Sequence, residues 1–515
     1  MTNINEVREI LSKKILEEKS GERTIELPPI FYKENKVSMV SLFCGAGGLD
    51  LGAEWAGTEV GMNKRINIAD KDYFEAIRKN NVVHTVYATD KFTEAIATYS
   101  EHFKETVVHK ADIKKIKDFP KADLYTFGFP CPGFSLAGPR LVDDDRNFEY
   151  IHCCRALLQA QPKVFIAENV KGLMTLGGGL PYAQIKEDFE AAGYNIYTKL
   201  LNSRDYGVPQ IRERVIMVGV RKDLDFIYEF PKPTHGEGNG LKPFTTLKRA
   251  IWDLKDKDGW YYKGTYSSKY MGRNRKKTWD QQSFTIQADG RQAPVHPEGK
   301  PMIKIDSEHW EFPNEGRDDR RLTVDEAARV QTFPDWFKFN YGKESVSHNT
   351  KVNKMFKQIG NAVPVLMAKV IAKPIIEFLN ELRQMEQENT LVSSNEVSEQ
   401  VFELPVSAIS SFEKETISIQ SHEQVSVDEV LNAENIEQPI LEEVAPVKNY
   451  AQLSIDEVLA YENNKQDITE EVPSTKDKKR NTIEDVNSNK DEMLNIIEEA
   501  TSVQNQKQLS FDIFM

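Results

Sequence analysis

Cys131 stands between two prolines in the stretch Gly128-Phe129-Pro130-Cys131-Pro132-Gly133-Phe134-Ser135. It follows Leu124-Tyr125-Thr126-Phe127, an apolar and aromatic run bounded by turn signals that reads as a short buried strand. A thiol therefore falls at the carboxyl end of a strand, where open α/β sheets hold their ligands. Presented there it is a nucleophile; the other reading is a buried structural cysteine packing as a small hydrophobe. Rigid prolines and the Gly-Phe-Ser loop lean toward presentation, because such turns more often display a side chain than bury it. Two further groups can do chemistry. Glu168 ends the run Val164-Phe165-Ile166-Ala167, so its carboxylate can face Cys131 across the mouth of the sheet. Gln210, Arg212 and Arg214 enter the apolar strand Val215 to Val220, and at period two they share one polar, cationic face.

The elements that must position these groups are legible as βα units. An apolar strand over Ser38 to Leu42 ends in the glycine-rich turn Phe43-Cys44-Gly45-Ala46-Gly47-Gly48, and a helix with small residues at its start follows. Such a turn lets backbone approach a ligand closely, or simply closes a tight βα connection. It lacks the GKS/T ending of a P-loop and is no strict GxGxxG. A second strand, His84 to Ala88, ends at Asp90 and precedes a helix over Phe92 to Phe103; a third, Thr106 to Lys110, ends at Asp112-Ile113. An acid at the end of one such strand is an ordinary helix cap. Acids in two consecutive units beside a glycine turn point to a pocket for a nucleotide-type cofactor. The long connection between Gly57 and Thr85, NKRINIADKDYFEAIRKNN, predicts an added short helix at the sheet edge. The polar loop after Cys131, with Asp143, Asp144, Asp145 and Arg146, leads into a further helix.

Composition sets the frame. The 515 residues carry a net charge of −13, unevenly spread: residues 386–515 hold 9 basic against 28 acidic side chains, leaving about −19 there and about +6 before it. The first part suits a polyanion and the tail repels one. Four cysteines, none in a CxxC pair and two adjacent (Cys153, Cys154), support neither a disulfide framework nor a zinc site. No metal is expected. A charged N-terminus without an apolar core, and no apolar run of spanning length, predict a cytoplasmic protein that neither is secreted nor enters a membrane. Residues 1–36 read as a helical leader with a Pro-containing connector.

Taken in order, these motifs resemble the DNA (cytosine-5)-methyltransferase family from about residue 38 to 380. The family pattern is met by Phe43-Cys44-Gly45-Ala46-Gly47-Gly48, Pro130-Cys131, Glu168-Asn169-Val170, Gln210-Ile211-Arg212-Glu213-Arg214, Arg320-Arg321-Leu322-Thr323 through Arg329-Val330-Gln331-Thr332-Phe333-Pro334, and Gly360-Asn361-Ala362-Val363-Pro364. One departure is local: the commoner PPCQ is here Phe129-Pro130-Cys131-Pro132. The resemblance implies an α/β fold, a Rossmann-like doubly wound mixed sheet binding S-adenosylmethionine, with a smaller inserted target-recognition domain. It places the catalytic domain at 37–222 and 319–385 and the recognition domain at 223–318. Cys131 is then the nucleophile that adds to carbon 6 of cytosine, Glu168 the partner of the N3/amino edge, and Arg214, supported by Arg212, the partner of the O2 edge. Phe43, Gly45, Ala46, Gly47, Gly48 and Pro130 shape the cofactor pocket; Asp90 meets the ribose, Asp112 and Ile113 the adenine, and Asn361 the methionine end. A base inside a duplex is beyond a thiol's reach, so it is flipped out, with the loop after Cys131 closing behind it.

The segment 223–318 is rich in aromatic, Gly, Pro and basic residues. Its centre, Tyr270-Met271-Gly272-Arg273-Asn274-Arg275-Lys276-Lys277 with Trp279, Ser283 to Gln287, Gly290-Arg291 and His296-Pro297, is similar to the recognition domain of members that modify GGCC. Arg273, Arg275 and Arg291 are candidates for reading guanine, or for holding phosphate. An RNA methyltransferase of transfer-RNA type shares the catalytic motifs but carries a Cys-Phe-Thr sequence missing from this segment. An amino-group DNA methyltransferase would have Asp/Asn-Pro-Pro-Tyr/Phe in place of the cysteine, and an idle DNA-binding scaffold would not need Cys131, Glu168 and Arg214 together. After a last helix, Val365 to about Met385, residues 386–515 read as an acidic, disordered tail. A short motif recurs in it at Gln424 to Val430, Gln452 to Val458 and Gln508 to Phe514, the starts 28 and 56 residues apart. The terminal copy resembles the bacterial sliding-clamp-binding peptide, with Phe511 and Phe514 as anchors. The expected partners are double-stranded DNA and a clamp, and the expected state is a monomer.

Overall fold

In the computed structural model the described residues are 13, 21–130, 148–313 and 319–400. Seven strands form the central sheet: β1 (Val37–Leu42), β2 (Val83–Asp90), β3 (Val107–Lys110), β4 (Leu124–Phe127), β5 (Val164–Val170), β6 (Tyr194–Asn202) and β7 (Glu213–Arg221), in the order β3-β2-β1-β4-β5-β7-β6. All neighbours are parallel except β7, antiparallel to both β5 and β6. The central strands β1, β2, β4 and β5 are buried almost end to end, as near-continuous apolar runs covered on both faces must be. Chain order reverses between β1 and β4, the crevice where doubly wound sheets take ligands.

Register aligns the carboxyl ends. Thr89, Leu42, Phe127 and Ala167 form one row across β2, β1, β4 and β5. The next residues of the same strands, Asp90, Phe43, Gly128 and Glu168, therefore share one edge. Helix α1 (Gly48–Met62) starts directly behind it. Its Gly52 lies so close to the last helix that an added Cβ would come within 2.5 Å of the Ala368 side chain. Buried Glu59 of α1 receives Lys369 at 2.7 Å and Lys373 at 3.3 Å.

Several expected bounds shift. The last helix runs from Val365 to Gln400, past the expected end near Met385 and into the stretch read as disordered tail. The added helix of the long connection spans Lys71–Ile77. It packs through Phe74 on Trp336, rings 5.9 Å apart, rather than extending the sheet. In the leader, Ile25 bridges Ile116, Leu27 and Ile30 pack against the core, and residues 26–33 carry no regular element. The residues before 21, Lys13 apart, the loop 131–147 and everything beyond 400, including the repeated motif and Gln508 to Phe514, lie outside the described residues. Among the described residues no helix is long and apolar enough to cross a membrane.

The described part of residues 223–318 holds little regular structure: helices Leu247–Ile251 and Ser268–Met271, 3-10 turns Trp252–Leu254 and Gly290–Gln292, and the two-residue pair Ile303–Lys304 with Trp310–Glu311. Arg321 organises it. Its guanidinium donates to the carbonyls of Arg291, Tyr262, Gly264 and Thr265 and lies over the rings of Tyr262, Tyr266 and Tyr270. One buried cation thus satisfies loop carbonyls that no ladder reaches.

Candidate active site

The site forms along the shared carboxyl edge. Strand β5 delivers Glu168, and β7 delivers Arg214 opposite Val170. Arg214 Nε lies 2.9 Å from Glu168 Oε1, both side chains nearly nine-tenths buried. Burial pulls the Arg214 guanidinium below its ordinary value and Glu168 opposes that shift. A nearly dry carboxylate and guanidinium thus meet one row beyond the Phe127–Ala167 pair.

Cys131 lies outside the described residues. Its approach is described: Asn169 Nδ2 donates to the Phe129 carbonyl at 3.2 Å, pinning the turn just ahead of Pro130 to the strand that carries Glu168. The unusual Phe129 is 3 % exposed and faces Tyr150. Where the commoner motif has proline, an aromatic side chain is buried in the core just ahead of Pro130.

Beside this edge, Phe43, Asp90, Lys91, Asp112, Ile113 and Glu149 line a cleft. Phe43 adopts φ 57°, uncommon for a non-glycine residue. Asp90 accepts the Gly45 N–H at 3.0 Å and the Phe92 N–H at 2.8 Å, and burial raises its pKa. Asp112 accepts from Lys114 N, capping a short 3-10 turn. Both acids line the cleft, and of the two only Asp112 caps, since the helix after Asp90 has Phe92 at its N-cap with no side-chain cap. Lys91 reaches buried Glu149 at 2.8 Å, a pair that sequence reasoning missed because 58 residues separate it.

The glycines divide by what surrounds them. Gly45 has φ +54° and nothing within 4 Å of a built Cβ, an open cradle suited to a ligand. A Cβ on Gly47 would lie 2.4 Å from the Phe103 ring, and one on Gly48 would lie 2.7 Å from the Val363 carbonyl. These two serve packing. Ala46 is buried. Asn361 is the exposed last residue of helix His348–Asn361, next to the Ala362 and Val363 that press on Gly48. An open glycine, an aromatic edge and a half-buried acid at a strand end fit a nucleoside cofactor such as S-adenosylmethionine.

Three expected placements need correction. Arg212 supports Arg214 from within the core and is not presented with it on a polar face. The strand begins at Glu213, and Arg212, 1 % exposed, donates to the carbonyls of Ile286, Gly360 and Ala362. Its two terminal nitrogens are taken by backbone carbonyls while Nε has no hydrogen-bond partner, so it supports the site from behind. Gln210 is likewise buried, not presented on a polar face. Arg275 is no reader of bases either. It is 6 % exposed, donates to the Tyr270 carbonyl and Gln292, and lies 4.4 Å over the Tyr270 ring. Arg273 and Arg291 are exposed. Neither the alternation that marked Arg212 nor the residue type that marked Arg275 separates a guanidinium facing solvent from one satisfying buried carbonyls.

Residues 37–377 match the family described as C-5 cytosine-specific DNA methylase. The chain is 56% identical over 382 residues to the type II methyltransferase M.BspRI of Lysinibacillus sphaericus, covering 72% of this chain and 90% of that protein. It is 54% identical over 383 residues to the type II methyltransferase M.BsuRI of Bacillus subtilis, covering 72% and 88%. It is 39% identical over 376 residues to the type II methyltransferase M.FnuDI of Fusobacterium nucleatum, covering 68% and 98%.

Proposed function

Because the chain belongs to the C-5 cytosine-specific DNA methylase family and uses S-adenosylmethionine as methyl donor, we propose that it methylates a flipped cytosine in duplex GGCC through a covalent adduct of Cys131. Carbon 5 of cytosine is a poor nucleophile. Addition of the Cys131 thiolate to carbon 6 pushes electron density to carbon 5 and makes it one. Glu168 holds the N3/amino edge and shares a proton with it while charge builds on the ring. Arg214 stabilises the O2 edge, where that charge also collects. When bound, S-adenosylmethionine supplies the electrophilic methyl group that carbon 5 takes. Loss of the carbon 5 proton to a base, for which water suffices, then lets the sulfur leave as thiolate.

The observation that carries this reading is the nearly buried Glu168–Arg214 pair at 2.9 Å, at the strand end beside the Phe129-Pro130 turn that leads to Cys131. Without a base, the two form an ion pair but Glu168 Oε1 is left without a hydrogen-bond donor. A cytosine entering between them would offer both a partner, one at each ring edge. Phe43, Gly45, Asp90, Asp112, Ile113, Pro130 and Asn361 would hold the cofactor, with Ala46, Gly47 and Gly48 shaping the turn. Residues 37–222 and 319–385 would form the catalytic domain and 223–318 the recognition domain, with Arg273 and Arg291 as the remaining candidates for guanine or phosphate. Its likeness to two type II methyltransferases supports a role as the methyltransferase of a restriction-modification system.

The test is Cys131→Ala with labelled S-adenosylmethionine and two substrates, duplex DNA and transfer RNA. Methyl incorporation into duplex by the parent, none by the variant and cofactor binding by both is the expected result; turnover by the variant removes the adduct. Bisulfite sequencing of host DNA reads the site, and methylation centred away from paired guanines removes GGCC. The terminal Gln508 to Phe514 resembles a clamp-binding peptide and is proposed to dock on the replication clamp. Deleting residues 505–515 is then expected to abolish clamp pulldown, and unchanged pulldown refutes it.

A further inference from the structure

Gln210 and Gln331 are both 0% exposed, and neither lines the cofactor cleft. Burying two primary amides is costly unless every polar atom finds a partner. Here the partners fix the direction of both. The Ile286 N–H can only donate, so it meets Gln210 Oε1 at 2.9 Å. Gln210 Nε2 must then donate, and does, to Gln331 Oε1 at 2.8 Å. Gln331 Nε2 in turn reaches the carbonyls of Ile359 at 2.6 Å and Ala362 at 3.1 Å. The result is a one-way relay of hydrogen bonds in which each bond polarises the next.

Each end of the relay is fastened to a functional segment. At one end, residues 283–288 of the recognition segment pair with residues 209–211: Ser283 N donates to Pro209 O, Ile211 N to Ser283 O, and the Thr285 hydroxyl to Ile211 O. At the other end lie Gly360 to Val363, with Ala362 and Val363 against Gly48 of the cofactor turn. Contact between the ends is close enough that a Cβ on Gly360 would lie 2.3 Å from the Gln287 carbonyl carbon. Arg212 runs parallel to the relay, from Ile286 O to Gly360 O and Ala362 O. Thr332, next to Gln331, is held at φ 61° while its hydroxyl accepts from Leu366 N, and Val365 N donates to Gln331 O. Such a backbone persists only where its surroundings over-determine it.

We propose that Gln210 and Gln331 are positioning residues that fix the recognition segment 283–288 against the Gly360–Val363 turn, so that DNA seated on one and cofactor held by the other are energetically linked. The inference rests on the reading of residues 223–318 as the recognition domain and of Asn361 as a cofactor residue. Neither glutamine touches base or cofactor. Each acts through the backbone it holds, and linkage requires a physical connection of this kind between the two sites.

The experiment uses the full chain and S-adenosylhomocysteine as the probe, which binds without turnover. Its Kd is measured calorimetrically alone and with saturating GGCC duplex, in the parent, in Gln331→Met and in Gln331→Glu. In the parent the duplex is expected to change this Kd by about fivefold or more. In both variants the ratio is expected to fall below about twofold, because methionine breaks the relay and glutamate accepts from Gln210 but cannot donate to Ile359 and Ala362. A purely structural role would weaken both Kd values and leave their ratio intact, and that result overturns the proposal. If Gln331→Met fails to fold, Thr285→Val loosens the recognition end by removing one hydroxyl, and the same fall in ratio is expected. A parent that binds neither ligand refutes the functional reading; one that binds both without linkage refutes only this inference.

Discussion

Replacing Gly45 and Gly48 separately by alanine separates the glycine that serves the ligand from the one that serves the fold. At Gly45 the added methyl meets no atom within 4 Å, and the only internal cost is the left-handed backbone at φ +54°, about 1 kcal/mol. At Gly48 the methyl lands 2.7 Å from the Val363 carbonyl oxygen, 3.0 Å from the Ala362 Cβ and 3.2 Å from the Phe333 ring. Two of those three neighbours are backbone or a Cβ that no rotamer change can move, so the overpacking cost is about 1–3 kcal/mol. Urea unfolding and calorimetric titration with S-adenosylhomocysteine measure the two consequences independently. Gly45→Ala is expected to lose about 1 kcal/mol of stability but about tenfold or more of cofactor affinity, since about 1.4 kcal/mol of lost contact suffices. Gly48→Ala is expected to lose more stability than affinity. A Gly45→Ala protein that binds cofactor like the parent would refute the idea that the open space at Gly45 is reserved for ligand.

Arg212→Met orphans at least two buried carbonyls and is expected to cost about 2–6 kcal/mol in urea unfolding. Arg214→Met should change stability less while abolishing methylation of duplex DNA; the reverse order would return Arg212 to the ring edge. Burial opposes ionisation of Glu326, yet Arg320 and His296 hold its carboxyl down to about 2. A carboxyl depressed in the folded state contributes stability above its unfolded pKa of about 4.3 and loses it as pH falls toward 2, roughly 3 kcal/mol in all. The stability difference between the parent and Glu326→Gln is therefore expected to shrink between pH 5 and pH 2, and a difference independent of pH would contradict the assignment.

Much of the catalytic edge is legible in sequence because it is local. Strand β1, the glycine turn and α1 are contiguous, as are β2 with Asp90, β3 with Asp112 and β5 with Glu168, and burial on both faces writes β1 and β5 as largely apolar runs, whereas β3 is only half-buried. The fate of individual polar side chains is not local. Gln210, Arg212 and Arg214 share a motif, but Arg212 is claimed by carbonyls at 286, 360 and 362 and Gln210 by Ile286 and Gln331, all distant in sequence. Arg273 and Arg275 are two residues apart, and only Arg275 is turned under Tyr270. Periodicity assigns a face, whereas a buried cation needs a count of acceptors that only the assembled backbone supplies. Residues 223–318 show the limit most plainly, since their order depends on Arg321 gripping loop carbonyls rather than on any repeating pattern.

The pairing of Gly48 and Gly52 with residues 363–369 also bears on synthesis. Those segments are about 300 residues apart, so at roughly 5–20 residues per second the first βα unit waits tens of seconds on the ribosome for its covering helix. Throughout that interval α1 keeps a bare groove of glycine and alanine, and the cofactor turn has no floor. A nascent chain released before residue 365 therefore has no finished pocket, and prematurely terminated products are expected to be clients of chaperones and proteases rather than partly active enzymes.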